Sequence, residues 1–289
     1  MTRSISPLQI TTYLLALVVA LPFLVILISW GDINSEIWEH LLDYLFLDLL
    51  TNTLWLILGV GGGVLVLGTT LAWLTTLCDF PGRSIFDWAL MLPFAIPAYV
   101  LAFVMLDLFS YGGTFHQLID TFFGGMITPP DIQSTGGVIT VFVLVFYPYV
   151  YMLARTAFLS QGNSLLEAGQ SLGLTPTQAF LRIALPMARP AIAAGVALAL
   201  METLADFGAV SIFNYDTFTL AIYTSWDDFR SLSTAAQLSS LLLLFALMAL
   251  FGEQAMRGRS KYHQTTGRTP YRHQLKGRRS EERRVGKEC

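Results

Sequence analysis

Glu202 and Asp206 are the residues whose placement most demands a chemical explanation. They stand four apart inside an apolar run from Pro190 to about Ile212, a spacing that puts both carboxylates on one face of a helix. A carboxylate at the bilayer centre costs ~2.5–3.5 kcal/mol on insertion scales, so such residues face a protein interior or a watery cavity. Two roles fit: the hydrophilic wall of a substrate path, or a polar contact that locks this helix to a neighbour. Catalysis has no comparable support. His40, His116, His263 and His273 are scattered without metal-ligand spacing, so no metal centre is expected. Cys78 and Cys289 imply no disulfide framework. Neither a G-x-x-x-x-G-K-[ST] phosphate loop nor a nucleophile elbow is present, so any ATP used must be hydrolysed by another chain.

The second group lies in residues 160–190, SQGNSLLEAGQSLGLTPTQAFLRIALPMARP. Glu167, Arg182, Arg189 and several amides interrupt two long apolar runs here, which predicts a water-exposed loop. Ser164 and Glu167 have capping-box spacing, and Thr175, Pro176 and Gln178 repeat the device with proline at the first helical position. Gly173 suits the left-handed residue that ends a helix. The expectation is a short helix, a tight turn and a second short helix ending near Pro186. Such a hairpin is either a solvated connector or an element that docks onto something.

The elements that carry these residues follow from composition. With 54% hydrophobic and 13% charged residues and a mean hydropathy of +0.58, the chain falls outside the range of soluble domains. The prediction is an all-α, polytopic membrane protein: a polar start over 1–9, a transmembrane region over 10–256 and a polar basic tail over 257–289. Six runs approach the ~20 residues needed to cross the hydrocarbon: 10–30, 51–77, 85–109, 136–158, 190–212 and 231–253. Ahead of the second, Ile37, Leu41, Leu45 and Leu49 recur every four residues, an amphipathic helix against the membrane or the bundle. Gly59 and Gly63 in that run have the spacing that permits close helix approach. Pro93 and Pro97 should kink the third span and free carbonyls, lining a path or serving packing alone. Tyr147 and Tyr149 on the fourth form an interfacial belt or line a polar path.

Basic residues set the orientation. Of 17 Lys and Arg, 11 lie in 257–289. Counting Arg3, Arg83, Arg155, Arg182 and Arg189 with them puts one face far ahead of the other, which holds Arg230. By the positive-inside rule both termini and the hairpin are cytoplasmic. The bilayer is the partner that composition names, and no nucleic acid is expected. Residues 279–289, RSEERRVGKEC, read as adapter-derived sequence, the alternative being a basic tail drawn to anionic lipid.

Glu167-Ala168-Gly169, Gly173 and Ile183-Ala184-Leu185-Pro186 resemble, in type and spacing, the "EAA" signature of permease subunits of binding-protein-dependent ABC importers. Gly169 departs from the usual second alanine. CDFPGR (78–83), LPFAIPAYVLAF (92–103), YPYVYMLAR (147–155) and METLADFGAVSIF (201–213) look like the ferric-iron branch. The resemblance implies the fold of such permeases, with the hairpin as a coupling helix carried by Glu167, Ala168, Gly169, Gly173, Ile183, Leu185 and Pro186. It also implies an ABC ATPase dimer that binds Mg-ATP, a periplasmic iron-binding protein and a location in the bacterial inner membrane. This chain would bind no cofactor itself. Because ferric-iron permeases fuse two six-span halves, the chain looks like an amino-terminal half whose second half is fused or supplied by another copy. Polyamine, thiamine and sulfate importers share the hairpin. A proton-coupled secondary transporter using Glu202 and Asp206 is the rival class, and it leaves the hairpin unexplained.

Overall fold

A chain this apolar must pair its backbone amides internally, and helices do so within one segment. The computed structural model describes residues 7–110, 112–123, 131–161, 169, 171 and 173–257. Met1–Arg257 form one compact unit, and the second unit, Gly258–Cys289, lies outside the described residues, as do Glu167 and Ala168. The described residues are helical: α1 (Pro7–Ile28), α2 (Ser35–His40), α3 (Phe46–Leu77), α4 (Arg83–Ala89), α5 (Ala98–Phe109), α6 (Thr114–Phe123), α7 (Thr135–Gln161), α8 (Pro176–Ala179), α9 (Leu185–Ala205), α10 (Gly208–Ile212), α11 (Phe218–Asp227) and α12 (Leu232–Arg257). Six stretches are long and apolar enough to cross a membrane: Ile10–Gly31, Ser35–Leu77, Ala98–Ile119, Thr135–Gln161, Thr177–Ala205 and Leu232–Gly252.

The expected all-α, six-span architecture is therefore present, with several span limits corrected. The second span starts earlier than residue 51, because α2 runs through a π-helical turn, Leu41–Leu45, into α3. Its four-residue stripe faces the bundle: Leu41 and Leu49 are buried with Leu204, Phe218, Leu238 and Phe245. The third span is broken, not kinked. α4 stops at Ala89, a 3-10 turn covers Leu92–Ala95, and α5 begins after Pro97, since proline offers no amide to continue the ladder. The second hairpin helix does not end near Pro186. It passes through the π-helical turn Phe180–Ala184 into α9, and Pro186, which has no amide to donate, follows directly on that turn.

At the centre stands α7, packed between α3 and α9. Glycine makes the approach possible. A Cβ on Gly68 would stand 2.7 Å from Val150 Cβ and 2.9 Å from the Tyr147 carbonyl, and one on Gly195 2.7 Å from Val150 Cα. Gly59 and Gly63 likewise face Ile139 and Val143 side chains, so their spacing serves packing. At the rim, Gln237 is fully buried and binds three groups. Its amide donates to the Ser29 carbonyl at 2.7 Å and the Asp32 carbonyl at 3.0 Å, and its oxygen accepts from the Trp38 indole. This knot ties the end of α1 and the start of α2 to α12.

Candidate functional site

Helix α9 ends at Ala205, three residues after Glu202. Asp206 leaves the helical region (ψ 112°), and its carboxylate accepts the Ala209 amide at 2.7 Å, so it caps α10 instead of extending α9. The Leu204 carbonyl, freed by the break, accepts the Thr219 hydroxyl at 2.6 Å. The Asp206 φ of −75° and the bond from its amide to the Glu202 carbonyl at 3.0 Å keep its Cβ on the helical path, so the two carboxylates leave one face of the last turn, as the spacing predicts, and the chain breaks immediately after them.

Two broken spans meet at this point. A Cβ on Gly208, at the start of α10, would lie 2.8 Å from Tyr99 Cβ, at the start of α5. Tyr149, about halfway along α7, stands between the breaks. Its phenol faces the Glu202 carboxylate, and its ring meets Phe94 edge-on at 4.7 Å. Irregular backbone at membrane depth persists where protein buries it or where it lines a watery cavity. Glu202 is exposed on this chain, as are Phe94, Ile96, Tyr99 and Phe207. Glu202, Asp206, Tyr149 and the Pro93–Pro97 break are therefore brought together.

Tyr147 is not part of this group. It is buried, and its hydroxyl donates to the Leu90 carbonyl at 2.9 Å. One turn on, Tyr151 donates to the Asp87 carbonyl at 3.2 Å, and a further turn on Arg155 grips the Asp87 carboxylate through two bonds, 3.0 and 2.7 Å. Sequence reading passed over Asp87. The available signal was an acid near the start of one apolar run and a lone arginine in another, charges that lipid obliges to find partners.

In the hairpin, the structure reaches Gly169, Gly173 and the residues after it. Gly173 is left-handed (φ 89°), and the Leu174 amide returns to the Gly169 carbonyl at 3.2 Å, the six-residue closure of a Schellman motif. Thr175 and Gln178 exchange bonds of 3.3 and 3.1 Å as a capping box. An added Cβ on Gly169 would meet Ile183 Cδ1, the yielding tip of a side chain, at 2.7 Å. Phe180, not anticipated, seats this joint on the bundle: it is buried, stacked on Trp73 at 5.1 Å and edge-on to Phe158 at 5.5 Å. Ile183, Leu185 and Pro186 are half-buried beside it.

Residues 64–254 match the family described as "Binding-protein-dependent transport system inner membrane component". The chain belongs to this family. It is thus a membrane component of an ABC transport system and not an enzyme. It is 33% identical over 261 residues to the Fe(3+)-transport system permease protein FbpB 2 of Haemophilus influenzae, covering 89% of this chain and 48% of that one. The chain therefore spans about half the length of that relative. It is 30% identical over 203 residues to the sulfate transport system permease protein CysT of Salmonella typhimurium, covering 67% of this chain and 70% of that one. Among solved structures, a chain of the bacterial alginate ABC transporter in complex with alginate pentasaccharide-bound periplasmic protein superposes with a TM-score of 0.67 at 17% identity, over 87% of this chain and 94% of that one. The MetNI methionine ABC transporter gives 0.56 at 17% identity, over 74% and 95%. These likenesses establish the fold, that of ABC importer transmembrane subunits.

Proposed function

We propose that this chain is a permease subunit of an ATP-driven, binding-protein-dependent importer, and that its cargo is ferric iron. The hairpin joint carries the first half of this reading. A Schellman turn and a capping box back to back, seated on the bundle by Phe180, make a stiff element that can pass force from a docked ATPase dimer into α7 and α9. Glu167 and Ala168 lie outside the described residues, and their docking role rests on the signature spacing. The second half rests on the likeness to an iron permease and on the Glu202 and Asp206 carboxylates. A hard cation prefers oxygen ligands, whereas sulfate would meet like charge at the same place. Glu202, exposed at membrane depth, requires a watery path or another protein surface beside it. A second permease half, fused or in another copy, supplies that surface. Both termini face the cytoplasm, and a periplasmic binding protein delivers the ion from the other side.

Co-purification tests the coupling role. The permease should retain its ATPase subunit through detergent extraction, and Glu167→Arg or Gly173→Leu should abolish retention while leaving membrane insertion unchanged. Retention by both variants would refute the role assigned to the hairpin. Uptake of radiolabelled iron against radiolabelled sulfate, in cells carrying the whole system, decides the cargo. Uptake of sulfate alone would overturn the iron assignment and leave the coupling reading standing.

A further inference from the structure

Asp87 on α4 and Arg155 on α7 are charged groups joined through paired 3.0 and 2.7 Å bonds and only partly open to solvent, with side-chain exposures of 33% and 25%. Arg155 sits six residues before the end of α7 at Gln161, about 9 Å along the axis at 1.5 Å per residue. Each charge is set in an apolar helix, and ionisable residues in such helices pair with one another and are candidates for function.

What the pair holds is specific. Between α4 and the Pro93–Pro97 break the turns tighten: the Met91 amide goes to Trp88 and the Phe94 amide to Met91, instead of to Asp87 and Leu90. The carbonyls passed over are the two that receive the Tyr151 and Tyr147 hydroxyls. Three side chains at successive turns of α7 thus fasten the segment 83–95, two by its backbone and one by its only acid. At its far end is Phe94, against Tyr149, and beyond it the start of α5, against Gly208. The same helix runs at Gln161 into the hairpin region, where the Gln161 amide donates to the Ala184 carbonyl at 3.2 Å.

We propose that Asp87 and Arg155, with Tyr147 and Tyr151, are positioning residues that clamp segment 83–95 to α7, so that displacement of the hairpin end of α7 is delivered to the Pro93–Pro97 break beside Glu202. The inference rests on the importer reading and adds a route from the ATPase to the candidate path. Guanidinium geometry is part of it, since a lysine cannot make the paired contact with a carboxylate.

The test reads movement at the break. In the permease bound to its ATPase, with Cys78 and Cys289 replaced by serine, Ile96→Cys is labelled by a maleimide with and without ATP and vanadate. With the clamp intact, the labelling rate should change at least threefold on nucleotide trapping. Asp87→Arg or Arg155→Asp alone should remove that change with ATPase still bound, Arg155→Lys should remove most of it, and the double exchange Asp87→Arg, Arg155→Asp should restore it. If a reversed charge prevents assembly, Asp87→Asn and Arg155→Gln take its place in the comparison and should give the same loss. A nucleotide-dependent change that survives in the single variants, is missing from the unmodified clamp, or stays absent in the double exchange overturns the proposal. An unmodified permease that binds no ATPase would instead overturn the importer reading itself.

Discussion

Asp206 caps α10 and is proposed to line the path, two roles that a single substitution would confuse, so the informative experiment separates cap from charge. Asparagine caps a helix about as well as aspartate, whereas alanine at such a site costs about 0.5–2 kcal/mol. Asp206→Asn should therefore leave the melting temperature of the detergent-solubilised permease unchanged, and Asp206→Ala should lower it. If Asp206→Asn also keeps full transport, its charge plays no part in the path and the residue serves α10 alone. Glu202 has no backbone group to cap. Its carboxylate faces the Tyr149 phenol, and Glu202→Gln is expected to cut transport at least tenfold with assembly and ATPase binding intact. Lost assembly would return Glu202 to a packing role. The proximity of these residues was legible beforehand, because the i, i+4 spacing announced a pair, while the break that follows them is held by Thr219 and Tyr99 from other segments.

For the elements, contact between α3, α7 and α9 runs through glycine at places where backbone, not a yielding side chain, is opposite. Gly68→Ala would push a Cβ to 2.7 Å from Val150 Cβ and 2.9 Å from the Tyr147 carbonyl, and overpacking of this kind costs about 1–3 kcal/mol. Gly62→Ala, with nothing within 4 Å of its added carbon, is the control and should be neutral or slightly stabilising, alanine being the better helix former. Size-exclusion profiles and melting curves of the two variants side by side check the contrast, and equal behaviour would mean the helices can separate at no cost. Signals confined to one segment were readable in advance. The Thr175–Gln178 box and the Gly173 turn stand as expected, because their partners are three to five residues away. Pro93 and Pro97 announced a disturbance but not its depth, since a kink and a full break differ in whether neighbours such as Tyr147 receive the freed carbonyls. The Asp87–Arg155 pair joins residues 68 apart and left no periodic trace.

At the scale of the whole molecule, hydrophobic length gave six crossings because lipid leaves a backbone few alternatives, and charge bias supplies the orientation to be checked. A cysteine at Ser4 should react with an impermeant maleimide after the inner membrane is opened and not before. One at Asp131 should react in spheroplasts with that membrane intact. The reverse pattern would invert the proposed topology. The long-range ties were not legible, and Gln237 is the plainest case: its partners Ser29 and Asp32 precede it by 208 and 205 residues. That separation bears on how the protein is made. Synthesis proceeds from the amino terminus at roughly 5–20 residues per second, so the first helix leaves the ribosome about 10–40 seconds before the glutamine that will moor it. Throughout that interval the Trp38 indole and two main-chain carbonyls must be satisfied by water or lipid headgroups. Nascent chains halted before residue 237 should therefore be the preferred prey of membrane quality-control proteases.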